Sequence, residues 1–480
     1  PQILGSKIQK TKEGCKMKKG KWILLLIVGI LVYELAGALV PFVYPKKVQG
    51  ELPKTETFYG TEYRPDTDRA AVIESNQEAL ALRLSMFEEA KKSIVMTTFD
   101  IREGESTRDI FASLCAAADR GVQVQIIVDG MYGLLHMSGK DIFKAAGSHE
   151  NLEIKFYNTP NLLMPWTING RMHDKYIIVD DRILLMGGRN TFDYFLGEYE
   201  GKSVGYDREI LVYNEEPKED SVIGEVKDYF TKLWEDSVCK TKYDGASDKY
   251  AEADKALEER YRGLSIEAVD WKARMVETKK ISFVSNPTHI YGKEPYVWGT
   301  LQQLMADAKE RVLIHTPYAV CSQDMYKGLE EVAANVPKAE LLLNSVASGD
   351  NICASSDYLK NKQKVIDTGM ELYEYMGKYS THGKSVLIDN NISAIGSYNF
   401  DNRSTYVDTE TMLVADSEPL AKELETHLHH LKDGSLPVEA DGSYGENGTV
   451  RKSRSRKVRN GKSKPCLMSC GCSVILLSYN

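Results

Sequence analysis

The chain contains an internal duplication, so any fold it adopts has to build two equivalent halves and bring them into a defined relation. The core of the repeat is His173-Asp-Lys175 leading to Asp180, which returns as His382-Gly-Lys384 leading to Asp389; each copy reads His-x-Lys-x4-Asp. A Gly-x-x-Asn follows each copy, as Gly187-Gly-Arg-Asn190 and Gly396-Ser-Tyr-Asn399. The surroundings repeat too. Ala90-Lys-Lys-Ser-Ile-Val-Met-Thr-Thr is mirrored by Ala308-Lys-Glu-Arg-Val-Leu-Ile-His-Thr, the run 122–128 by 339–343, and 152–157 by 369–375. Each half closes on one apolar helical stripe: Val222, Val226, Phe230 and Leu233 in the first, Leu420, Leu424, Leu428 and Leu431 in the second. A single duplication explains all of these matches, whereas chance requires several coincidences.

Periodicity places the motif within alternating elements. Leu80, Leu82, Leu84 and Phe87 predict a helix over 74–92, and the apolar run 93–99 predicts a buried strand. A helix over 108–118 and strands over 122–128 and 152–157 follow, with the first motif on a strand over 175–179. This alternation predicts an α/β fold. We expect a first half at 65–239, a charged helical connector at 240–280 and a second half at 281–432. A tail at 433–480 follows, whose Ser-rich basic run 451–464 lacks acids and reads as disordered.

Ahead of the halves, a basic segment (1–21) precedes an apolar run (22–44) long enough to cross a bilayer and interrupted only by Glu34. A signal peptide with Ala36-Gly37-Ala38 as its cleavage site is the rival reading. A retained single-pass anchor in the cell membrane is favoured, because Leu39, Val40, Phe42 and Val43 continue the run. The positive charge before the span places the body outside the cytosol, with Lys46 and Lys47 weighing the other way. Asn161-Leu-Leu-Met-Pro-Trp166 reads equally as a lipid-facing lip or as a plain cover over the sheet.

A net charge of −8 argues against a long nucleic-acid footprint, which needs clustered Lys and Arg. The eight cysteines lack the paired spacing of a zinc site. Cys115, Cys239, Cys321 and Cys353 are open to disulfide formation in an exported protein, and equally to remaining reduced. His136, His149, His289 and His315 read as surface or packed residues, and His427, His429 and His430 suit a helix C-terminus.

If the halves face each other, two imidazoles, two ammonium groups and two carboxamides share one pocket suited to a phosphodiester. Lys175, Lys384, Asn190 and Asn399 can hold the non-bridging oxygens and offset the charge that grows in the transition state. One histidine attacks phosphorus, and the other protonates the leaving alcohol and then deprotonates the incoming acceptor. The lysines supply the positive charge, so no metal or cofactor is expected. Each histidine needs a carboxylate on its second nitrogen. The matching Asp207-Arg-Glu209 and Asp408-Thr-Glu410 nominate Glu209, expected to aim His173, and Glu410. Asp180 and Asp389 lie at the far ends of their strands and are assigned a structural role, fixing the turn and the Gly-x-x-Asn loop.

These residues resemble the phospholipase D superfamily, defined by two His-x-Lys-x4-Asp motifs, over about residues 65 to 430. The resemblance implies two pseudo-twofold-related α/β/α halves with mixed β-sheets. It also implies His173 as nucleophile and His382 as acid/base, roles that differ between families of the group. Asn399-Phe-Asp-Asn-Arg-Ser404 is similar to the Asn-x-Asp-x-Arg-Ser run of bacterial cardiolipin synthases. The expected function is a membrane-anchored phosphatidyltransferase acting on phospholipid and monomeric, since both half-sites lie in one chain. The alternatives are a hydrolase releasing phosphatidic acid, a nuclease-type phosphodiesterase and, least favoured, a binding protein with a decayed site.

Overall fold

The computed structural model describes residues 19–217, 221–243 and 248–446. Most of the basic N-terminal run and the tail segments 451–464 and 466–480 lie outside the described residues.

The strands in chain order are β1 (Arg69–Ile73), β2 (Ser93–Thr98), β3 (Gln123–Asp129), β4 (Leu152–Tyr157), β5 (Tyr176–Val179), β6 (Ile183–Gly187), β7 (Glu209–Tyr213), β8 (Cys239–Tyr243) and β9 (Val276–Glu277). The second half continues with β10 (Lys280–Ser285), β11 (Arg311–His315), β12 (Lys338–Asn344), β13 (Glu371–Tyr375), β14 (Ser385–Ile388), β15 (Ile392–Gly396), β16 (Thr411–Asp416) and β17 (Ser435–Pro437). They form two mixed sheets, ordered β8-β4-β3-β2-β5-β6-β7-β1-β9 and β10-β16-β15-β14-β11-β12-β13-β17. Read from its β17 edge, the second sheet repeats the first strand for strand up to β10, the counterpart of β1. The duplication in the sequence is therefore a duplication of topology.

Alternation along the strands decides what each face packs against. In β5, Ile177 and Val179 point to an outer core with helices Asn76–Glu89 and Glu105–Asp119. Tyr176 and Ile178 point to a central core shared with Leu387, Ile395 and Leu413 of the second half. The two stripe helices, Val222–Glu235 and Glu418–Asp433, contribute to that same central core. Strands buried on both faces read as near-continuous apolar runs, which is why β2 and β5 are visible in the sequence.

Three expectations change. The connector is only partly helical: it holds helix Ala251–Arg262 and supplies both edges of the first sheet, β8 and β9. The second half extends past 432, because β17 pairs with β13. The segments after the motif strands, expected only to lead into the Gly-x-x-Asn loops, form the hairpin strands β6 and β15. Each follows a turn in which the motif aspartate takes a positive φ, 52° at Asp180 and 50° at Asp389, a conformation aspartate tolerates better than most residues. Cys115 and Cys239 are buried free thiols. At the N-terminus, helix Lys19–Val43 is long and apolar enough to cross a membrane.

Candidate active site

Both histidines sit just ahead of a central strand, His173 before β5 and His382 before β14. Short parallel bridges join the halves there: Met172 pairs with Thr409, and Tyr206 with Thr381. The backbone N–H of His173 donates to Thr409 Oγ1 (3.1 Å), and that of His382 to Tyr206 O (2.6 Å). Each histidine is thus held by the half it does not belong to.

The carboxylates follow the same exchange. His173 Nδ1 lies 2.8 Å from Glu410 Oε1, and His382 Nδ1 lies 2.6 Å from Asp207 Oδ2. Glu410 meets the expectation of a carboxylate on a motif histidine, but Glu209 does not. Its buried carboxylate accepts from Arg83 Nη1 (2.9 Å) and pairs with Arg189 Nε (3.1 Å). The register explains the correction. Gly187 lies opposite Glu209 in the first sheet, and Gly396 lies opposite Met412 in the second. Met412 is therefore the counterpart of Glu209, and two residues earlier Glu410 is the counterpart of Asp207. The matching Asp-x-Glu letters are misaligned by two, a slip that keeps every side chain on its own face and so leaves the strand pattern unchanged.

Lys175 Nζ donates to His173 O (2.5 Å), and Lys384 Nζ donates to His382 O (2.5 Å). Lys384 Nζ also stands 3.1 Å from His382 Nε2. Asn190 Oδ1 accepts the Asp100 N–H (3.3 Å), leaving its donor end for a ligand. Asn399 Oδ1 is buried without a hydrogen-bond partner, and a half-turn of that carboxamide puts an N–H2 in the same place. Two phenyl rings wall the site: Phe99 is 4.8 Å edge-on from His173, and Phe195 is 5.0 Å from His382. Both come from the first half, and neither carries a signal in the repeat.

Burial drives the electrostatics. It holds the His173 imidazole well below its ordinary range, with Lys175 and Lys384 adding to the effect. Burial also raises the Glu410 carboxyl well above the carboxylate range. A hydrogen bond joins this pair, and when Nδ1 carries the proton the Nε2 lone pair is free. The second pair differs. Burial alone would raise Asp207, but Lys384 and His382 together hold it well below the usual range, so it is an anion beside His382. Burial and Lys384 lower His382, opposed by that anion. Asp174, between His173 and Lys175, is pushed up to about 6 by burial, while hydrogen bonds from Thr409 and Tyr229 oppose the rise.

Lys175 is pushed from its ordinary 10.5 down to about 7, chiefly by burial, with Glu410 opposing. The unfolded chain therefore holds an extra proton between about pH 7 and 10.5, so stability rises with pH across that window and the penalty is complete below it. Lys175→Met is accordingly expected to be inactive yet more stable at pH 6 by about 2 kcal/mol, read by denaturant unfolding. The gain should shrink toward pH 10.

Asp180 and Asp389 stand apart from this pocket. The Asp180 carboxylate accepts the N–H groups of Lys91 (2.8 Å), Lys92 (2.7 Å) and Ser93 (2.9 Å). Asp389 accepts those of Lys309, Glu310 and Arg311 in the same way. They fix the turn, as expected, but what they clamp is the start of β2 and β11 rather than the Gly-x-x-Asn loops. His315, read as surface or packed, is buried beneath the second motif with Nε2 3.0 Å from Thr381 Oγ1.

Known proteins share this chain's sequence pattern and fold. The family model described as cardiolipin synthase, PLD-like domain, matches residues 84–234 and 301–432, together more than half of the chain. An uncharacterised protein of Helicobacter pylori (strain ATCC 700392 / 26695) is 24% identical over 416 residues, covering 76% of this chain and 79% of that protein. Cardiolipin synthase C of Escherichia coli (strain K12) is 26% identical over 405 residues, covering 73% and 82%. Among solved structures, phosphatidylserine synthase of Haemophilus influenzae Rd KW20 shares the fold, with a TM-score of 0.59 and 13% identity over 81% of this chain and 92% of that one. With its two His-x-Lys-x4-Asp motifs in two equivalent halves, the chain belongs to the PLD-like cardiolipin synthase family of the phospholipase D superfamily.

Proposed function

We propose that the protein is a membrane-anchored phosphatidyltransferase that moves a phosphatidyl group from a phospholipid to an alcohol through a histidine-bound intermediate. The observation that carries this reading is the exchange of carboxylates between halves, which aims two imidazoles and two lysines at one place. His173 Nε2 attacks phosphorus, and the bond from phosphorus to the leaving alcohol breaks. His382 donates its Nε2 proton to that alcohol. The acceptor alcohol then gives its proton back to His382 and attacks phosphorus, breaking the P–N bond and restoring His173. Lys175, Lys384, Asn190 and Asn399 hold the non-bridging oxygens in both steps.

The difference between the pairs supports the division of roles. An ionised Asp207 opposes the burial that lowers His382 and so favours the proton an acid needs, whereas burial and the two lysines keep His173 neutral, as a nucleophile needs. The single apolar helix supports membrane attachment, and the activity named for the E. coli relative supports a lipid substrate.

The test is product analysis. Detergent-solubilised protein given labelled phosphatidylglycerol is expected to form a diphosphatidyl product. Phosphatidic acid as the sole product would make water the acceptor, and absence of both would exclude this substrate. Hydrolysis of DNA by the same preparation, with no lipid product, would favour the nuclease reading.

A further inference from the structure

How the N-terminal helix sits on the catalytic body carries an inference about the depth of that body in a bilayer, and it rests on the membrane-anchored reading above. The helix Lys19–Val43 has two different halves. Large apolar residues from Trp22 to Val32 are exposed, while Gly37, Ala38 and Pro41 are buried against the body. Tyr33 OH donates to Leu163 O (2.9 Å), and Asn169 Nδ2 donates to Ala38 O (2.7 Å). A Cβ on Gly37 would stand 2.4 Å from Pro165 Cγ. The small residues Gly37 and Ala38 thus allow helix and loop to touch.

Length then decides the depth. At about 1.5 Å per residue the free stretch 20–32 covers roughly 20 Å, short of the roughly 30 Å hydrocarbon core. The apolar helix Gly20–Val43, 24 residues long, covers about 36 Å. A helix that spans from residue 20 therefore needs residues 33–39 inside the hydrocarbon, and whatever packs on them lies at that depth. What packs there is the loop 161–170, whose Leu162 and Leu163 are 66% and 80% exposed.

Part of the loop's backbone is hydrogen-bonded within the loop, which limits the polar groups it would carry into hydrocarbon. Asn158 Nδ2 donates to Thr167 O (2.8 Å) and Gly170 O (2.7 Å), and Leu163 N donates to Asn161 Oδ1 (2.9 Å). The loop also runs directly into the first motif. Its Asn169 Oδ1 accepts from Arg403 Nη1 (3.1 Å), and Arg403 Nη2 donates to Asp408 (3.1 Å), two residues before Glu410.

We propose that the catalytic body is partly immersed: the lip 161–167 sits in the hydrocarbon of the adjacent leaflet, with Leu162 and Leu163 at its tip. Its partner is the acyl-chain region of the bilayer. A phospholipid then reaches His173 and His382 from within the leaflet, without drawing its chains through water.

The test uses the full chain in phosphatidylglycerol/phosphatidylethanolamine vesicles containing acyl-brominated lipid. Leu163→Trp is expected to add tryptophan fluorescence that the brominated lipid quenches, whereas Gln123→Trp, at the exposed start of β3, adds fluorescence that it does not. Equal quenching at the two positions overturns the proposal. A second readout is turnover after changing Leu162 and Leu163 together to Ser. Vesicle-borne phosphatidylglycerol is expected to be used at least about fivefold more slowly, with short-chain, water-dispersed phosphatidylglycerol used as before. An equal loss on both substrates, or no loss on either, contradicts immersion. If no phospholipid is turned over at all, the transferase reading fails, and quenching alone still decides the depth of the lip.

Discussion

Asp207→Asn is expected to lower turnover by about three orders of magnitude with the fold intact, because an amide beside Nδ1 no longer favours the proton on His382 that the leaving alcohol needs. Glu209→Gln, only two residues away, is expected to do something different. Its carboxylate is the counter-charge for Arg83 and Arg189, both buried. Removing it strands two guanidinium groups and costs about 3–5 kcal/mol of stability, while turnover per folded molecule stays within roughly fivefold. Steady-state kinetics on material quantified by its unfolding transition separates the two. A Glu209→Gln protein of normal stability and no activity would refute this assignment of carboxylates.

That pair of variants also marks where the sequence is legible and where it is not. The histidines, lysines and asparagines are readable because a duplicated spacing links residues within one strand–turn–strand unit, where separation in sequence fixes separation in space. The carboxylates belong to contacts between halves, and spacing does not set them. Asp207 and Glu209 lie on the same side of an extended chain, so pattern cannot choose between them; the positions of Gly187 and Gly396 opposite Glu209 and Met412 can. Phe99 and Phe195 are invisible for a related reason, since they wall the site through tertiary packing without repeating in the second half.

The fold follows the same division. Strands buried on both faces, such as β2 and β5, appear as apolar runs. Edge strands do not. In β8, Cys239 is buried but Lys240, Thr241 and Lys242 are exposed, so the segment has the composition of a surface connector although it pairs with β4. The short β17 escapes notice because it is three residues long and its role is to close an edge.

The roles proposed for the histidines rest on an electrostatic difference between two sites built on the same plan. Each imidazole has a carboxylate from the opposite half, a lysine two residues on and an asparagine from the following loop. The environment separates them, with Asp207 held anionic by Lys384 and His382, and Glu410 driven upward by burial. His173→Asn is therefore expected to abolish the covalent intermediate and all turnover, a loss of at least about 10⁴-fold. His382→Asn is expected to be comparably slow overall while still able to form the intermediate, because it retains the nucleophile and loses the acid.

The most direct measurement is the fate of phosphate-labelled phosphatidylglycerol on the denatured chain. The expected result is a protein-bound label, stable to alkali and lost in acid as a P–N bond requires, that is present in the unsubstituted chain, slower to form but present in His382→Asn, and missing from His173→Asn. Label that survives His173→Asn and disappears in His382→Asn would contradict the account.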